Sequence, residues 1–519
     1  MFPMKIIPLV LTVLFVTLPG LSWAGTLKIS AFDTKGNSLD REGLLRFIAP
    51  TARAEGQSPS QSGLFISDMD GTPLNGDPWW DENSKETVWN WKGNSKARIS
   101  MPWPIRKDGF STVTLDARGE GYAGEQSILL NEEIAINAYH RLQEALKLRA
   151  SVWSPTYKPS ERAKELIADA KNKLRKATLE KVLRKRAKRF DEALADTSFA
   201  WQQILFEHGR QTLSEPKRAN RMRWGVTLDE RAVDRIKEYD WIAERLKKAG
   251  VNWVRLVFRV NQEDFFFERP GSFTLYDELV AALRRHRVHV MGSVLDSMLW
   301  PNDVTPKAFE TRSHNLAMHY RDTIRSWEVA SESNGSWIGG TRSPLPDKTI
   351  LDSVQRGARA IKKIDPTLET TASLHWWEGT APKGRSLFQW LNWALPRGFG
   401  KDIDIIGLSV YPDRHPFGIA FDPVFMKLRQ LFPTQKLMLA GWSYEETNEQ
   451  TGYWWLEPKD VKNARKDLAV LFTGAAAAIP ESVGGGFFWQ TLDHMLKPKK
   501  RTTSFYRVYR SALKRIKEN

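Results

Sequence analysis

The C-terminal half of the chain alternates short apolar stretches with segments of helical periodicity. The pattern predicts eight β-strands, each followed by a helix, at residues 224–228, 251–257, 288–295, 326–330, 369–374, 403–409, 436–440 and 485–489. Such alternation indicates parallel strands joined by crossovers, and eight units in about 270 residues match a closed (β/α)8 barrel. An open doubly wound sheet is the alternative, but no phosphate-binding loop follows the first strand. The sequence therefore predicts an α/β fold with a TIM barrel over residues 221–519.

Two smaller regions precede the predicted barrel. Residues 25–129 are rich in turn-forming residues and contain short alternating runs, which predicts a β-sandwich-like domain. Flat indole rings stack on sugar faces, so this domain is a candidate for carbohydrate binding, with burial in the core as the alternative, through Trp79, Trp80, Trp89, Trp91 and Trp103. Residues 130–220 have apolar positions at helical spacing and a proline-containing break at 154–159, which predicts a helical hairpin.

The second arm of that hairpin carries a dense run of lysine and arginine between Lys171 and Arg189. A basic face of this kind can contact an anionic polymer or a membrane surface of the cell envelope, or it can simply be solvated. The whole chain has a formal net charge of +16, which favours an acidic partner such as an anionic polysaccharide or phospholipid headgroups.

Residues 1–24 have the pattern of a cleaved secretory signal peptide. A thirteen-residue apolar run, Ile6 to Leu18, is shorter than the roughly 20 residues of a spanning helix. The sequence has no cysteine, which excludes disulfides, a thiolate nucleophile and Cys-ligated metals. Export without disulfides favours a periplasmic or secreted bacterial protein, and export argues against nucleic acid as a partner.

Polar and aromatic side chains follow nearly every predicted strand, which is where the active face of a barrel lies. Aromatic rings stack on sugars, arginine and aspartate bind hydroxyl groups, and a carboxyl group in a partly apolar wall can keep its proton near neutral pH. The residues collected at these positions are Asp229, Arg255, Asp296, Glu332, His375, Trp376, Trp377, Tyr411, Asp413, Trp442, Trp489 and Asp493.

Four segments carry a resemblance to a known superfamily. They are 249–255 (AGVNWVR), 327–332 (WEVASE), 404–412 (DIIGLSVYP) and 487–489 (FFW). In their order and spacing they resemble the clan A glycoside hydrolases, which include cellulase-like and arabinogalactanase-like (β/α)8 enzymes. The resemblance implies that Glu332 is the general acid/base and that Arg255 supports a second carboxylate near Tyr411. It also implies a sugar-binding floor at Trp489. The predicted substrate-binding residues are Arg255, His375, Trp376, Tyr411, Trp442 and Trp489.

Two positions depart from the pattern of that superfamily. Ser331 stands where asparagine normally precedes the acid/base, so hydroxyl recognition is expected to differ. Gly441 stands where the seventh strand normally ends in the nucleophilic glutamate, and the following loop reads W-S-Y-E-E. Glu445 or Glu446 could fill the gap from the loop, and Glu445 is the predicted second catalytic residue. Alternatively, the base of an inverting reaction could be Asp296, Asp413 or Asp493.

These observations predict an exported glycoside hydrolase that cleaves O-glycosidic bonds within a polysaccharide, with no metal and no cofactor. The pairs His314/His319 and His286/His289 lack a nearby carboxylate at the spacing of a metal site. A catalytically inactive barrel that binds envelope polysaccharide or exopolysaccharide is the alternative, since Gly441 has no nucleophile. A third reading is an envelope scaffold that docks through the basic helices.

Overall fold

The structure is a computed structural model. It describes residues 23–48, 64–74, 76, 78–92, 95–105, 109–258, 273–340, 343–379, 385–412, 415–444 and 458–518. Three residues named above as candidate carboxylates, Asp413, Glu445 and Glu446, lie outside the described residues, as does most of the predicted signal peptide.

The N-terminal region contains two small β-sheets. Its elements are β1 (Trp23–Ser30), α1 (Arg41–Phe47), β2 (Phe65–Asp68), β3 (Pro78–Asp81), β4 (Glu86–Lys92), β5 (Ala97–Ile105), β6 (Gly109–Leu115) and β7 (Gly124–Leu129). One sheet has the order β3-β4-β1-β7 and the other β2-β5-β6. Trp89, Trp91 and Trp103 lie in the shared core, so their rings are closed to a ligand. Trp79 is 45% exposed, so its ring is open to solvent.

The next region contains three long helices rather than the two of the predicted hairpin. They are α2 (Leu130–Ser151), α3 (Glu161–Thr178) and α4 (Leu183–Leu213), followed by the short α5 (Pro216–Ala219). The break between α3 and α4 contains neither proline nor glycine, so no strong local signal marks it. Helix α3 begins where the Ser160 hydroxyl accepts a hydrogen bond from the Ala163 amide.

The remaining residues form the predicted barrel. Its strands are β8 (Arg223–Leu228), β9 (Trp253–Val257), β10 (His289–Ser293), β11 (Ser326–Ala330), β12 (Glu369–His375), β13 (Ile405–Val410), β14 (Lys436–Trp442) and β15 (Ser482–Phe488). Neighbouring strands pair in parallel, and β15 pairs with β8 to close the ring. The strands are buried almost throughout, as expected for a sheet covered by helices on its outer face. The predicted (β/α)8 barrel is therefore confirmed.

Helices surround the barrel, and the C-terminal helix packs where β15 pairs with β8. The elements around the strands are α6 (Tyr239–Lys248), α7 (Asp277–Arg285), α8 (Pro306–His319), α9 (Asp347–Ile364), α10 (Leu387–Ala394), α11 (Phe421–Leu431), α12 (Pro458–Ala478), α13 (Thr491–His494), β16 (Leu496–Lys497), β17 (Arg501–Thr502) and α14 (Ser504–Lys517). The Tyr509 hydroxyl of α14 donates to the Gly225 carbonyl at 2.7 Å, which ties this helix to β8. Within the described residues, no helix has the length and apolar character needed to cross a membrane.

Buried polar contacts fix the preceding regions to the barrel. Arg149 of α2 forms an ion pair with Asp422 of α11, and Trp201 of α4 donates to the same carboxylate at 3.2 Å. Arg98 of β5 pairs with Glu378, just after β12, at 2.7 Å. Burial of these charges without a partner would be unfavourable. The ion pairs therefore hold the N-terminal sheets and helices at defined positions beside the loops that follow β12 and β13.

Candidate active site

Glu332 lies two residues beyond the end of β11, at the face of the barrel where the strands end. Its backbone has φ +49°, a left-handed conformation that is uncommon for a residue with a side chain. The Glu332 amide donates to the Ser373 hydroxyl of β12 at 3.1 Å, which helps to hold this conformation. Residues kept in such conformations are concentrated at functional sites. The turn aims the carboxyl group into the barrel mouth, where its side chain is buried.

Two hydroxyl groups bind the Glu332 carboxyl group. The Tyr411 hydroxyl donates to Oε1 at 2.6 Å, and the Ser297 hydroxyl donates to Oε2 at 3.2 Å. Burial raises the pKa of Glu332 to about 7, the Tyr411 hydrogen bond partly opposes this rise, and Asp296 adds to it. Burial and the neighbouring Glu332 raise the pKa of Tyr411, which therefore stays protonated and remains a donor. A carboxyl group that keeps its proton near neutral pH can act as a general acid.

Arg255 of β9 occupies the centre of a buried charge cluster beside Glu332. Its Nε donates to Glu328 at 2.7 Å, and its Nη2 donates to Asp296 at 2.9 Å and to the Ser331 hydroxyl at 3.0 Å. Glu328 is held further by hydroxyl donors on the two neighbouring strands, from Ser293 at 2.7 Å and Ser373 at 2.9 Å. Arg255 thus balances two carboxylates, Asp296 after the third strand and Glu328 in the fourth. The predicted support of a second carboxylate by Arg255 stays a prediction, because Glu445 and Glu446 lie outside the described residues.

Aromatic side chains form the wall around these groups. His375 stacks on Tyr411 with ring centroids 5.6 Å apart and meets the edge of Trp337 at 4.9 Å. The Trp337 indole donates to the Ser297 hydroxyl at 3.1 Å. The Arg255 guanidinium lies 5.3 Å from the ring centroid of Trp489. Tyr411, Trp337 and Trp489 are partly exposed, so they present aromatic surface to a ligand in the mouth.

Two of the predicted substrate-binding residues lie elsewhere. The Trp376 indole donates to the Pro416 carbonyl at 2.8 Å and packs on Phe417, whereas Trp442 donates to the Gly486 carbonyl at 3.0 Å and packs against Phe488. Both rings are buried outside the barrel, so the prediction that they bind substrate is wrong. Successive side chains along a strand point to opposite faces, so each tryptophan points outward because the residue before it faces the barrel interior.

Gly441 faces the site and leaves room there. A Cβ atom at this position would lie 3.4 Å from the Ser409 hydroxyl, 3.7 Å from the Phe487 carbonyl and 3.7 Å from the Tyr411 hydroxyl. These are ordinary contact distances, so the first side-chain carbon of a larger residue would fit at this position without a clash. A side chain here would start beside the hydroxyl group that binds Glu332.

The alternative carboxylates among the described residues are already engaged. Asp296 accepts from Arg255 with one oxygen, and with the other it accepts from the Met298 amide at 3.1 Å. Asp493 pairs with Arg231 at 2.7 Å, and Asp229 pairs with the same arginine at the same distance. Each of these aspartates is therefore held by an arginine.

Sequence reasoning missed Glu328, Ser297, Ser373 and Trp337. A signal for Glu328 was present, because an acidic residue inside the apolar run S-W-E-V-A must find a partner when the strand is buried. Ser297 and Trp337 come from loops, and no periodicity marks their direction. Ser373 points into the barrel from β12, because successive side chains on a strand alternate between its two faces. The sequence was compatible with this direction but did not distinguish Ser373 from its neighbours.

The burial of Glu332 has a consequence for stability. Its folded pKa of about 7 lies above the ordinary value of 4.5, so the folded state binds the proton more tightly. The stability that this provides is complete below pH 4.5 and is lost as the pH rises through 7. The free energy of unfolding should therefore fall by about 3 kcal/mol over this interval on account of Glu332. Urea titrations at pH 5 and pH 8 should show a smaller fall for Glu332→Gln, and an equal fall in both proteins would contradict the assignment.

Comparison with solved structures gives likenesses at low sequence identity. No protein-family model matches the chain, and neither does any curated protein. A GH53 catalytic domain from Ignisphaera aggregans is 15% identical, with 56% of this chain and 91% of that chain covered and a TM-score of 0.37. The xylanase 10B from Thermotoga petrophila is 11% identical, with 60% and 98% covered and a TM-score of 0.40. A β-glucosidase from Thermotoga maritima is 12% identical, with 57% and 98% covered and a TM-score of 0.40.

Proposed function

We propose that this protein is an exported glycoside hydrolase that cleaves O-glycosidic bonds within a polysaccharide, with Glu332 as the general acid/base. The observation that carries the proposal is the position of Glu332, a buried carboxyl group at the mouth of a barrel that accepts hydrogen bonds from Tyr411 and Ser297. Burial there raises its pKa to about 7. Protonation of the leaving oxygen is the step that such a group performs in glycoside hydrolysis. The aromatic surface of Tyr411, Trp337 and Trp489 beside it suits the apolar face of a sugar ring.

The second catalytic carboxylate is proposed to come from the loop after β14, as Glu445 or Glu446. The observation that favours the loop is the space that Gly441 leaves beside Tyr411, at the end of the strand that this loop follows. A retaining reaction needs carboxyl groups about 5 to 5.5 Å apart, and an inverting reaction needs about 6.5 to 9.5 Å. The configuration of the first product, followed by NMR, distinguishes these two reactions.

A second candidate function is polysaccharide binding without cleavage, and the glycine at position 441 specifically favours it. In this case Glu332 would donate a hydrogen bond to a sugar, and Arg255 with Trp489 would form part of the floor of a binding cleft. The same polysaccharides would then bind without releasing oligosaccharides. A periplasmic or secreted location, with an envelope polysaccharide or exopolysaccharide as partner, is proposed for both functions.

The test is a screen of neutral and anionic polysaccharides with four proteins: the wild type, Glu332→Gln, the double variant Glu445→Gln/Glu446→Gln, and the control Asp303→Asn. Asp303 is an exposed acidic residue in the segment after β10. Oligosaccharide release is expected from the wild type and the control, and from neither of the others. Release by the double variant at the wild-type rate would place the second carboxylate elsewhere. Binding by all four proteins without release by any would establish the second candidate function.

A further inference from the structure

The turn between α3 and α4 exposes three apolar side chains. Leu179, Val182 and Leu183 are 71%, 51% and 46% exposed, and they fall within five consecutive residues. They form the apolar tip of the helical region, at the end opposite Val152 and Ser160. A cluster of exposed large aliphatic side chains is unusual on a protein surface and marks a contact site.

Basic residues surround the apolar tip. Ten of the twenty residues from 171 to 190 are lysine or arginine, and only Glu180 is acidic. Glu180 is folded back, because it accepts from the Val182 amide at 3.1 Å and pairs with Arg189 at 3.1 Å. Three lysines next to the tip are exposed and form no ion pair with any residue that the structure describes, namely Lys176, Lys181 and Lys185.

The local sequence at the start of α4 is unfavourable for that helix. Val182 occupies the N-cap of α4 and offers no side-chain hydrogen bond there, although serine, threonine, asparagine or aspartate would stabilise the helix. The first turn of α4 has no acidic residue and instead carries Arg184, Lys185 and Arg186, whose charges oppose the helix dipole. The apolar N-cap residue and the basic first turn both weaken α4. They also present an apolar side chain and positive charges to a partner that is both apolar and anionic.

We propose that the apolar tip docks the protein onto the surface of an anionic phospholipid bilayer. Leu179, Val182 and Leu183 would enter the boundary between headgroups and acyl chains, while the surrounding lysines and arginines contact the anionic headgroups. Interfacial segments combine apolar burial with electrostatic attraction in this way. An anionic polysaccharide would use the positive charge but would leave the three apolar side chains in water. The proposal does not depend on the function of the barrel.

Binding to lipid vesicles tests the proposal. The full chain should sediment with phosphatidylcholine vesicles that contain phosphatidylglycerol, and much less with phosphatidylcholine alone. The triple variant Leu179→Ser/Val182→Ser/Leu183→Ser should bind at least about tenfold more weakly, since it loses the apolar contribution. Val152→Ser is the matched control, because Val152 is 67% exposed at the opposite end of the helical region. All variants keep the same N terminus, so its apolar stretch contributes equally to each.

The contribution of the charges is tested separately. Lys176→Gln/Lys181→Gln/Lys185→Gln should weaken binding to the anionic vesicles. Its control is Lys147→Gln/Lys158→Gln/Lys217→Gln, which removes the same charge from exposed positions away from the tip. Undiminished binding by the serine variant, together with loss in the lysine variant, would overturn insertion and show that the contact with the vesicles is electrostatic alone. Equal loss in the lysine variant and its control would overturn docking through the tip.

A spectroscopic measurement gives an answer that does not depend on variant affinities. The chain has no cysteine, so Leu179→Cys introduces a single labelling site for a polarity-sensitive fluorophore. The emission should shift to shorter wavelength when anionic vesicles are added, because the label leaves water. The same label at Val152→Cys should not shift. A shift at both sites, or at neither, would contradict docking through the tip.

Discussion

Replacement of Glu332 by glutamine is expected to lower kcat on an unactivated polysaccharide by about 10²-fold to 10⁴-fold, the usual contribution of a positioned general acid. Glutamine keeps the size of the side chain and can still accept from Tyr411, but it cannot deliver a proton. An aryl glycoside with a good leaving group needs little protonation, so its bond cleavage should be much less affected. A similar loss on both substrates would contradict the role of Glu332 as the acid.

The pH dependence of the wild type provides an independent check on that role. The acid must be protonated, and the pKa of Glu332 is raised to about 7, so the activity should decline as the pH rises through 7. The Tyr411 hydrogen bond lowers the pKa of Glu332 from what burial alone would give. Tyr411→Phe should therefore move the decline to higher pH. A decline that moves to lower pH, or does not move, would show that another group is responsible for it.

The eight strands and most of the barrel mouth were predictable because they depend on local pattern. Strand and helix periodicity predicted the barrel, and position after a strand end pointed to Glu332 and Tyr411. The direction of a side chain is harder to infer when two large residues are adjacent. His375 and Trp376 follow one another, as do Gly441 and Trp442, and a shift of one residue exchanges the inner and outer faces. Both tryptophans were therefore assigned to the wrong side of the barrel wall.

The electrostatic partners could not be predicted from strand order alone. Nothing in the strand pattern indicated that Arg255 would pair with both Glu328 and Asp296. The interior of a barrel brings all strands together, so a cation there can reach several carboxylates. Which carboxylates it pairs with depends on the length of the side chains and on neighbouring hydroxyl groups such as that of Ser293. The pairing matters for the site, since it gathers Asp296 and Glu328 into one buried charge cluster beside Glu332.

The glycine at position 441 permits a gain-of-function experiment. In the background Glu445→Gln/Glu446→Gln, the further change Gly441→Glu is expected to raise the rate of polysaccharide cleavage by at least about 100-fold, since it supplies the missing carboxylate. The first side-chain carbon would meet its neighbours at 3.4 to 3.7 Å, so it should fit without displacing the strand. The new carboxylate would lie near Glu332 and, as a like charge, would help Glu332 to keep its proton.

The matched control is Gly441→Gln in the same background, which has the same shape but no nucleophile. Because the background lacks both loop glutamates, the gain does not depend on whether the wild type is a hydrolase or a binding protein. The rates of cleavage and the anomeric configuration of the product are measured together, and retention would place the new carboxylate at nucleophilic distance from the sugar. If the glutamate variant folds and binds polysaccharide but cleaves none, the result contradicts the role of Glu332 as the acid that acts together with a carboxylate at position 441.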